Sequence, residues 1–384
     1  ATPETWAKIE EREQEATSLW HDLQARHAEE LSLMRVEPLT PTNIQPYLAE
    51  GTALVEYFVA RGQVTVFVIT RGKVLVFPAI SSLAELLPLL ENLAFQFSKF
   101  QYGLAYYQRH RPTFIKSAKE ILAQLGQKLI APFLEELAGF DMLIIIPHGP
   151  LHALPFQALW IDDHYLIENY AISYAPSAAV LKFCWDKTFP SGASLPFHGK
   201  ALLVGVPDER ASHVADEIQA LAGLIGETEI LVNEQATFEH VCQSALTCGV
   251  LHLAAHGLFR PEAPLLSSIH LADRWLTVQD IYELELQASL VTLSACETGL
   301  GHDAGGDDLM GLVRGFLYAG AGSLVVSLWV VDDESMTRLM TGFYTHWLAG
   351  KPKAQALRQA QLTLLETYEH PFYWAPLVLV GNEK

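Results

Sequence analysis

The spacing of apolar residues divides this chain into stretches of different period. Over residues 3–36, Trp6, Ile9, Ala16, Trp20, Leu23, Leu31 and Met34 recur at three- and four-residue steps, with Glu and Arg between them. That pattern predicts an amphipathic helix. Pro38, Pro41 and Pro46 end it. The run TALVEYFVARGQVTVFVITRGKVLVFPAI, starting at Thr52, holds three β-rich segments separated by Arg-Gly pairs at 61–62 and 71–72, which predicts an antiparallel meander. Residues 81–139 return to helical spacing. DMLIIIPHG (141–149) then reads as a buried strand ending in a polar turn, and AISYAPS (171–177) as another.

The stretch DKTFPSGASLPFHGK (186–200) is low in hydrophobicity and is the candidate linker. Beyond it, strands are predicted at 201–206, 229–232, 249–256, 290–296, 323–331 and 375–381, with helical patterns near 214–225, 308–320, 334–349 and 353–367. Continuous apolar strands alternating with helices predict a mainly parallel α/β sheet of about six strands with helices on both faces. Ligands of such sheets collect beyond the carboxyl ends of the strands. His256 and Cys296 each stand at one of those ends.

DMLIIIPHGPL (141–151) resembles GVLHLAAHGLF (249–259): a strand, His-Gly, then an apolar residue. The earlier copy leads to a strand ending in Pro176-Ser177, where the later one leads to Ala295-Cys296. Two readings stay open: a degenerate internal repeat, or two buried strands that look alike. The chemistry is equally double-sided. A free cysteine ending a buried strand is commonly a small core hydrophobe, and His-Gly after a strand is commonly a plain turn. Together, at parallel strand ends separated by 40 residues (296 − 256), they also fit a thiol nucleophile and its proton-transfer partner. Gly257 offers a backbone N–H that, with that of Cys296, suits an oxyanion hole. His148 and His152 rival His256, but no cysteine follows them at a strand end, and a structural turn is the preferred reading.

Composition narrows the classes. Of 384 residues, 50% are hydrophobic and 18% charged, which excludes a disordered chain, and the net charge of −19 argues against nucleic acid or anionic lipid on a basic surface. A basic peptide or protein partner is compatible. No apolar run approaches the roughly 20 residues that span a bilayer. No secretory signal is read in residues 1–16. Four cysteines, Cys184, Cys242, Cys248 and Cys296, make no disulfide framework in a chain of this size. The expectation is a soluble, cytoplasmic protein. His240, Cys242, Cys248 and His252 have metal-like side chains, but their spacing fits no familiar zinc pattern; no metal and no cofactor is expected.

PHGPLHALPFQAL (147–159), YAPSAAVL (174–181), LHLAAHG (251–257), LSACETG (293–299), GLVRGFLYAGAGSLVVSLWVVDD (311–333) and YWAPLVLVGN (373–382) together resemble the CHAT domain. This is a caspase-like bacterial cysteine peptidase family of clan CD, related to separase and often found behind tetratricopeptide repeats. The resemblance implies that His256 is the base and Cys296 the nucleophile of a dyad, with the N–H groups of Gly257 and Cys296 as the oxyanion hole. It also implies an inactive, pseudo-caspase-like region ahead of the active one. The expected organisation is an N-terminal helix and linker over 1–48, the pseudo-caspase-like region over 49–190 and the active peptidase region over 191–384.

In caspase-like folds the pocket for the residue before the scissile bond draws on three loops, which map here near Asp208, Ser294, and Trp329 with Asp332 and Asp333. Metacaspases, which cut after Arg or Lys, carry Asp two residues before the cysteine; this chain has Ser294. The remaining aspartates imply a preference for Arg or Lys. The function implied is an endopeptidase cutting a specific protein under control of an activator or repeat domain, in bacterial signalling, defence or cell death. The alternative is a catalytically idle scaffold that binds a protein partner. No 34-residue repeat period is read ahead of residue 49; either such repeats lie outside this sequence or control comes by another route.

Overall fold

A computed structural model describes residues 39–189, 192, 195–207, 214–258, 260, 263–294, 307–329 and 333–384. The helix expected over 3–36 lies outside them. The expected meander is present as β1 (Thr52–Ala60), β2 (Gln63–Ile69) and β3 (Val74–Ser82), antiparallel in sequence order. Arg61 and Gly62 both take positive φ between β1 and β2, the backbone that a tight two-residue hairpin turn demands. α1 (Leu83–Ser98) and α2 (Leu104–Leu129) follow. α1 starts at a capping box in which Glu85 accepts from the Ser82 N–H at 3.2 Å.

The remaining strands of the main sheet are β4 (Met142–Ile146), β5 (Ala171–Tyr174), β6 (Ala201–Gly205), β7 (Thr228–Val232), β8 (Val250–Ala254), β9 (Leu290–Leu293), β10 (Ser323–Ser327) and β11 (Leu377–Gly381). Helices α3 (Ala178–Asp186), α4 (Val214–Ile225), α5 (Phe238–Ala245), α6 (Asp307–Ala319), α7 (Asp333–Leu348) and α8 (Lys353–Thr367) lie between them. Every residue of β4, β6, β8, β10 and β11 is buried, as a sheet covered on both faces requires.

One 11-stranded sheet runs through the molecule in the order β3-β2-β1-β4-β5-β11-β10-β9-β8-β6-β7. β1, β4, β5 and β11 run parallel to one another, as do β10, β9, β8, β6 and β7. The two sets meet at the antiparallel pair β10/β11. The six strands expected after residue 200 are all found, and the sheet continues beyond them into the first region. Because of the antiparallel junction, strands of the two sets have their carboxyl ends at opposite edges of the sheet.

The stretch read as a linker is pinned. Lys187 donates to the carbonyls of Leu317 (2.8 Å) and Ala321 (3.2 Å), and Phe197 is buried with its ring 5.6 Å from that of Trp347. Gly249 shows how tightly it lies: a Cβ there would fall on the carbonyl of His198. Among the described residues, no helix is long and apolar enough to cross a membrane.

Candidate active site

β8 is the middle of three parallel strands, between β6 and β9. Its run VLHLA and the following Ala255 are fully covered, and the chain reaches a half-buried position at His256. Gly257–Leu258 then pairs antiparallel with Ser268–His270. The His270 N–H donates to the His256 carbonyl at 2.8 Å, which fixes the backbone of the histidine. Gly257 pairs with Ile269 beside that bond, the non-hydrogen-bonded position of an antiparallel ladder. Its own N–H is therefore turned away from the pairing strand.

β9 ends beside β8. The Ser294 N–H donates to the Leu253 carbonyl at 3.1 Å, and the Ser294 side chain is buried. The register offset between the two strands is 40 residues (290 − 250), the same number that separates Cys296 from His256. Cys296 itself lies outside the described residues, as do Asp208 and Asp332; Asp333 opens α7, and only its backbone is described. Trp329 follows β10, the next strand over, and is buried with its indole N–H on the Phe372 carbonyl at 2.9 Å. His256, Gly257 and Ser294 thus stand beyond the carboxyl ends of neighbouring parallel strands, with Trp329 beyond the end of the strand alongside.

Beneath this edge lies a buried polar chain that spacing alone did not reveal. His252 and Thr292 are register partners on β8 and β9. Tyr344 of α7 bridges them, its hydroxyl 3.0 Å from Thr292 Oγ1 and 3.4 Å from His252 Nδ1. On its other side, His252 Nε2 sits 2.9 Å from Glu217 Oε1 of α4. The available signal was a histidine inside an otherwise apolar strand, which needs a buried partner.

The first region also follows a strand with His-Gly. β4 is also the middle of three parallel strands, between β1 and β5. His148 after it has Nδ1 accepting from the Val59 N–H at 2.9 Å, a structural role. Ser177, after β5, caps α3 by accepting from the Val180 N–H at 3.2 Å.

The three described thiols are poor nucleophiles. Burial pushes Cys184 and Cys242 up to about 11 and Cys248 up to about 12. Of the four metal-like residues, His252 is engaged by Glu217, His240 stands 3.8 Å from Glu229, and Cys248 points its thiol to the Ala245 carbonyl.

The CHAT domain model matches residues 119–382, more than half the chain. The chain belongs to the CHAT domain family. It is similar to tetratricopeptide repeat protein 28 of Mus musculus, 31% identical over 331 residues, and to that of Homo sapiens, 25% identical over 354 residues. These matches cover 69% and 74% of this chain but only 13% and 14% of the relatives, so the chain spans about an eighth of their length. Among solved structures, the Saccharomyces cerevisiae separase–securin complex superposes with a TM-score of 0.65 at 9% identity, over 89% of this chain and 30% of that one. At that identity the likeness is one of fold: this CHAT domain has a mixed α/β, caspase-like architecture built on a large, mainly parallel sheet.

Proposed function

We propose that this CHAT domain is a cysteine endopeptidase that cuts a specific protein with a Cys296–His256 dyad, over a region at 49–190 that keeps the fold without the chemistry. The observation that carries the reading is the 40-residue register offset of β8 and β9, which matches the spacing of Cys296 from His256. The Cys296 thiolate attacks the scissile carbonyl to form the C–S bond. The oxyanion is held by the N–H groups of Gly257 and Cys296. His256 protonates the leaving amine as the C–N bond breaks, and water then hydrolyses the thioester, regenerating the thiol and releasing the acid. The Gly257 N–H, directed away from its pairing strand, supports this role.

Substrate preference for Arg or Lys rests on Asp208, Asp332 and Asp333, with Ser294 and Trp329 closing the pocket. The curated relatives carry tetratricopeptide repeats in their names, and the separase structure is a complex with securin. Both support control of this peptidase by a repeat domain or a protein partner.

The test is a cleavage profile on a peptide library and on partner proteins, comparing wild type with Cys296→Ala and His256→Ala. Loss of all cleavage in both variants, with the fold intact by circular dichroism, supports the dyad. Cleavage by Cys296→Ala at the wild-type rate overturns it, and binding without any cleavage by wild type assigns the domain to scaffolding.

A further inference from the structure

The meander of the first region has two faces with different fates. On one, Val55, Tyr57, Val64, Val66 and Val68 are buried, and the Tyr57 hydroxyl donates to the Leu129 carbonyl of α2 at 2.9 Å. On the other, Glu56 pairs across with Phe67, Phe67 with Val76, and Ile69 with Val74. This second face is only partly covered. Phe58, Val74 and Val76 remain 50%, 39% and 53% exposed.

A cavity of about 330 Å³ opens on it, walled by Pro41, Ile44, Phe58, Phe67, Ile69 and Ala178. Among the described residues, Glu56 is the one ionisable residue of its lining. The glutamate is half-buried, and burial raises its carboxyl above the usual range while nearby His148 pulls it down. Among the described residues, no lysine or arginine is paired with it. A partly desolvated carboxylate among hydrocarbon walls favours a cation that arrives on an alkyl stem. β1 and β8 are six strand spacings apart, about 29 Å at the usual separation, so this cavity is separate from the candidate active site.

We propose that this cavity is a docking site for a basic–apolar segment of a partner polypeptide. Its Lys or Arg head lies at Glu56, and an adjoining apolar side chain lies along Phe58 and Val74. Charge complementarity decides the occupant: the cavity holds a carboxylate with no lysine or arginine partner among the described residues, and a chain of net charge −19 attracts basic segments over longer range.

The experiment uses the full chain carrying Cys296→Ala, so that bound peptide stays uncut and the result does not depend on the peptidase reading. Fluorescent octapeptides with one central Lys flanked by Leu are compared by anisotropy with twins carrying norleucine. The expected result is at least tenfold tighter binding of the Lys peptides, lost on Glu56→Gln without change in Tm. Ala178→Phe, which fills the cavity, is expected to block both. Equal affinity for Lys and norleucine, insensitivity to Glu56→Gln, or no binding overturns the proposal. So does competition by n-butylammonium at the affinity of the peptide, which assigns a free-amine site. Binding that emerges only when residues 1–38 are deleted assigns the groove to this chain itself and also overturns it.

Discussion

Phe97 of α1 packs its ring 4.7 Å from the ring of Trp329. The first belongs to the helical layer of the first region, the second to the end of a strand in the set that carries His256. Phe97 is also within ring contact of His370 and Phe372, and the Phe372 carbonyl receives the Trp329 indole N–H. The first region therefore supplies the backing for Trp329, a residue proposed above for the substrate pocket. Phe97→Ala removes that backing and leaves a cavity, so a loss of about 3–5 kcal/mol in unfolding free energy is expected. Peptide cleavage should suffer through KM more than through kcat, because the reacting groups are untouched. Phe97→Leu should recover more than half of both effects. Urea unfolding with steady-state kinetics decides this; an unchanged KM in a stable Phe97→Ala protein would remove Trp329 from the pocket.

The pair Glu217–His252 offers a sharper energetic test. Both side chains are buried, and their atoms meet at 2.9 Å beneath the two strands that lead to the site. Removing one partner leaves a buried polar atom of the other without its hydrogen-bond partner, a loss of about 1–3 kcal/mol. Replacing both with leucine removes the unpaired group as well, so the double variant should be less destabilised than the sum of the singles. Additive losses in a double-mutant cycle would show that the pair is not coupled. Cleavage should also fall in the singles, since His252 and Thr292 brace β8 against β9.

How much of this was legible differs by residue. The strand leading to His256 announced itself because VLHLA is apolar except for His252 and is soon followed by His-Gly, and spacing to Cys296 needs no knowledge of the fold. The meander was equally plain, since Arg-Gly pairs at 61–62 and 71–72 separate its three β-rich runs. The reversal of strand direction at β10/β11 was not legible. Valine- and leucine-rich runs are buried on both faces whichever way they point, so they carry no sign of direction. Lys187 shows a second limit. A stretch poor in apolar residues reads as a tether, yet the Lys187 ammonium donates to two carbonyls of the following region and Phe197 packs on Trp347. Phe97 and Trp329 are 232 residues apart (329 − 97), and no local period connects them.

His370 should make stability fall in acid. It is buried among the rings of Phe97, Phe100, Tyr107 and Phe114, and its Nδ1 accepts from the Phe372 N–H at 3.1 Å. Burial lowers its pKa to about 3, against 6.5 for the ordinary imidazole. The unfolded chain therefore binds the extra proton first. The contribution of neutral His370 is complete above pH 6.5 and is withdrawn as pH falls from there towards 3. His370→Asn keeps an acceptor for the Phe372 N–H but does not titrate. It should be less stable than wild type near neutrality and lose less on going to pH 4.5. Parallel losses in wild type and variant, measured as urea midpoints at both pH values, would show that His370 is not the group responsible.

The thiols separate Cys296 from its companions in a single labelling experiment. With Cys184 and Cys242 pushed up to about 11 and Cys248 up to about 12, their thiolate fraction at pH 8 is on the order of one part in a thousand or less. Burial limits access to Cys184 and Cys248 as well. A nucleophile that works with His256 must form its thiolate near neutrality, so native protein exposed briefly to iodoacetamide at pH 8 should take up one adduct. Cys296→Ala should take up none in the same time, and guanidinium-unfolded wild type should take up four, one for each cysteine. Intact mass reads all three. A native Cys296→Ala protein labelled as fast as wild type would place the reactive thiol elsewhere and break the link between Cys296 and the chemistry proposed for it.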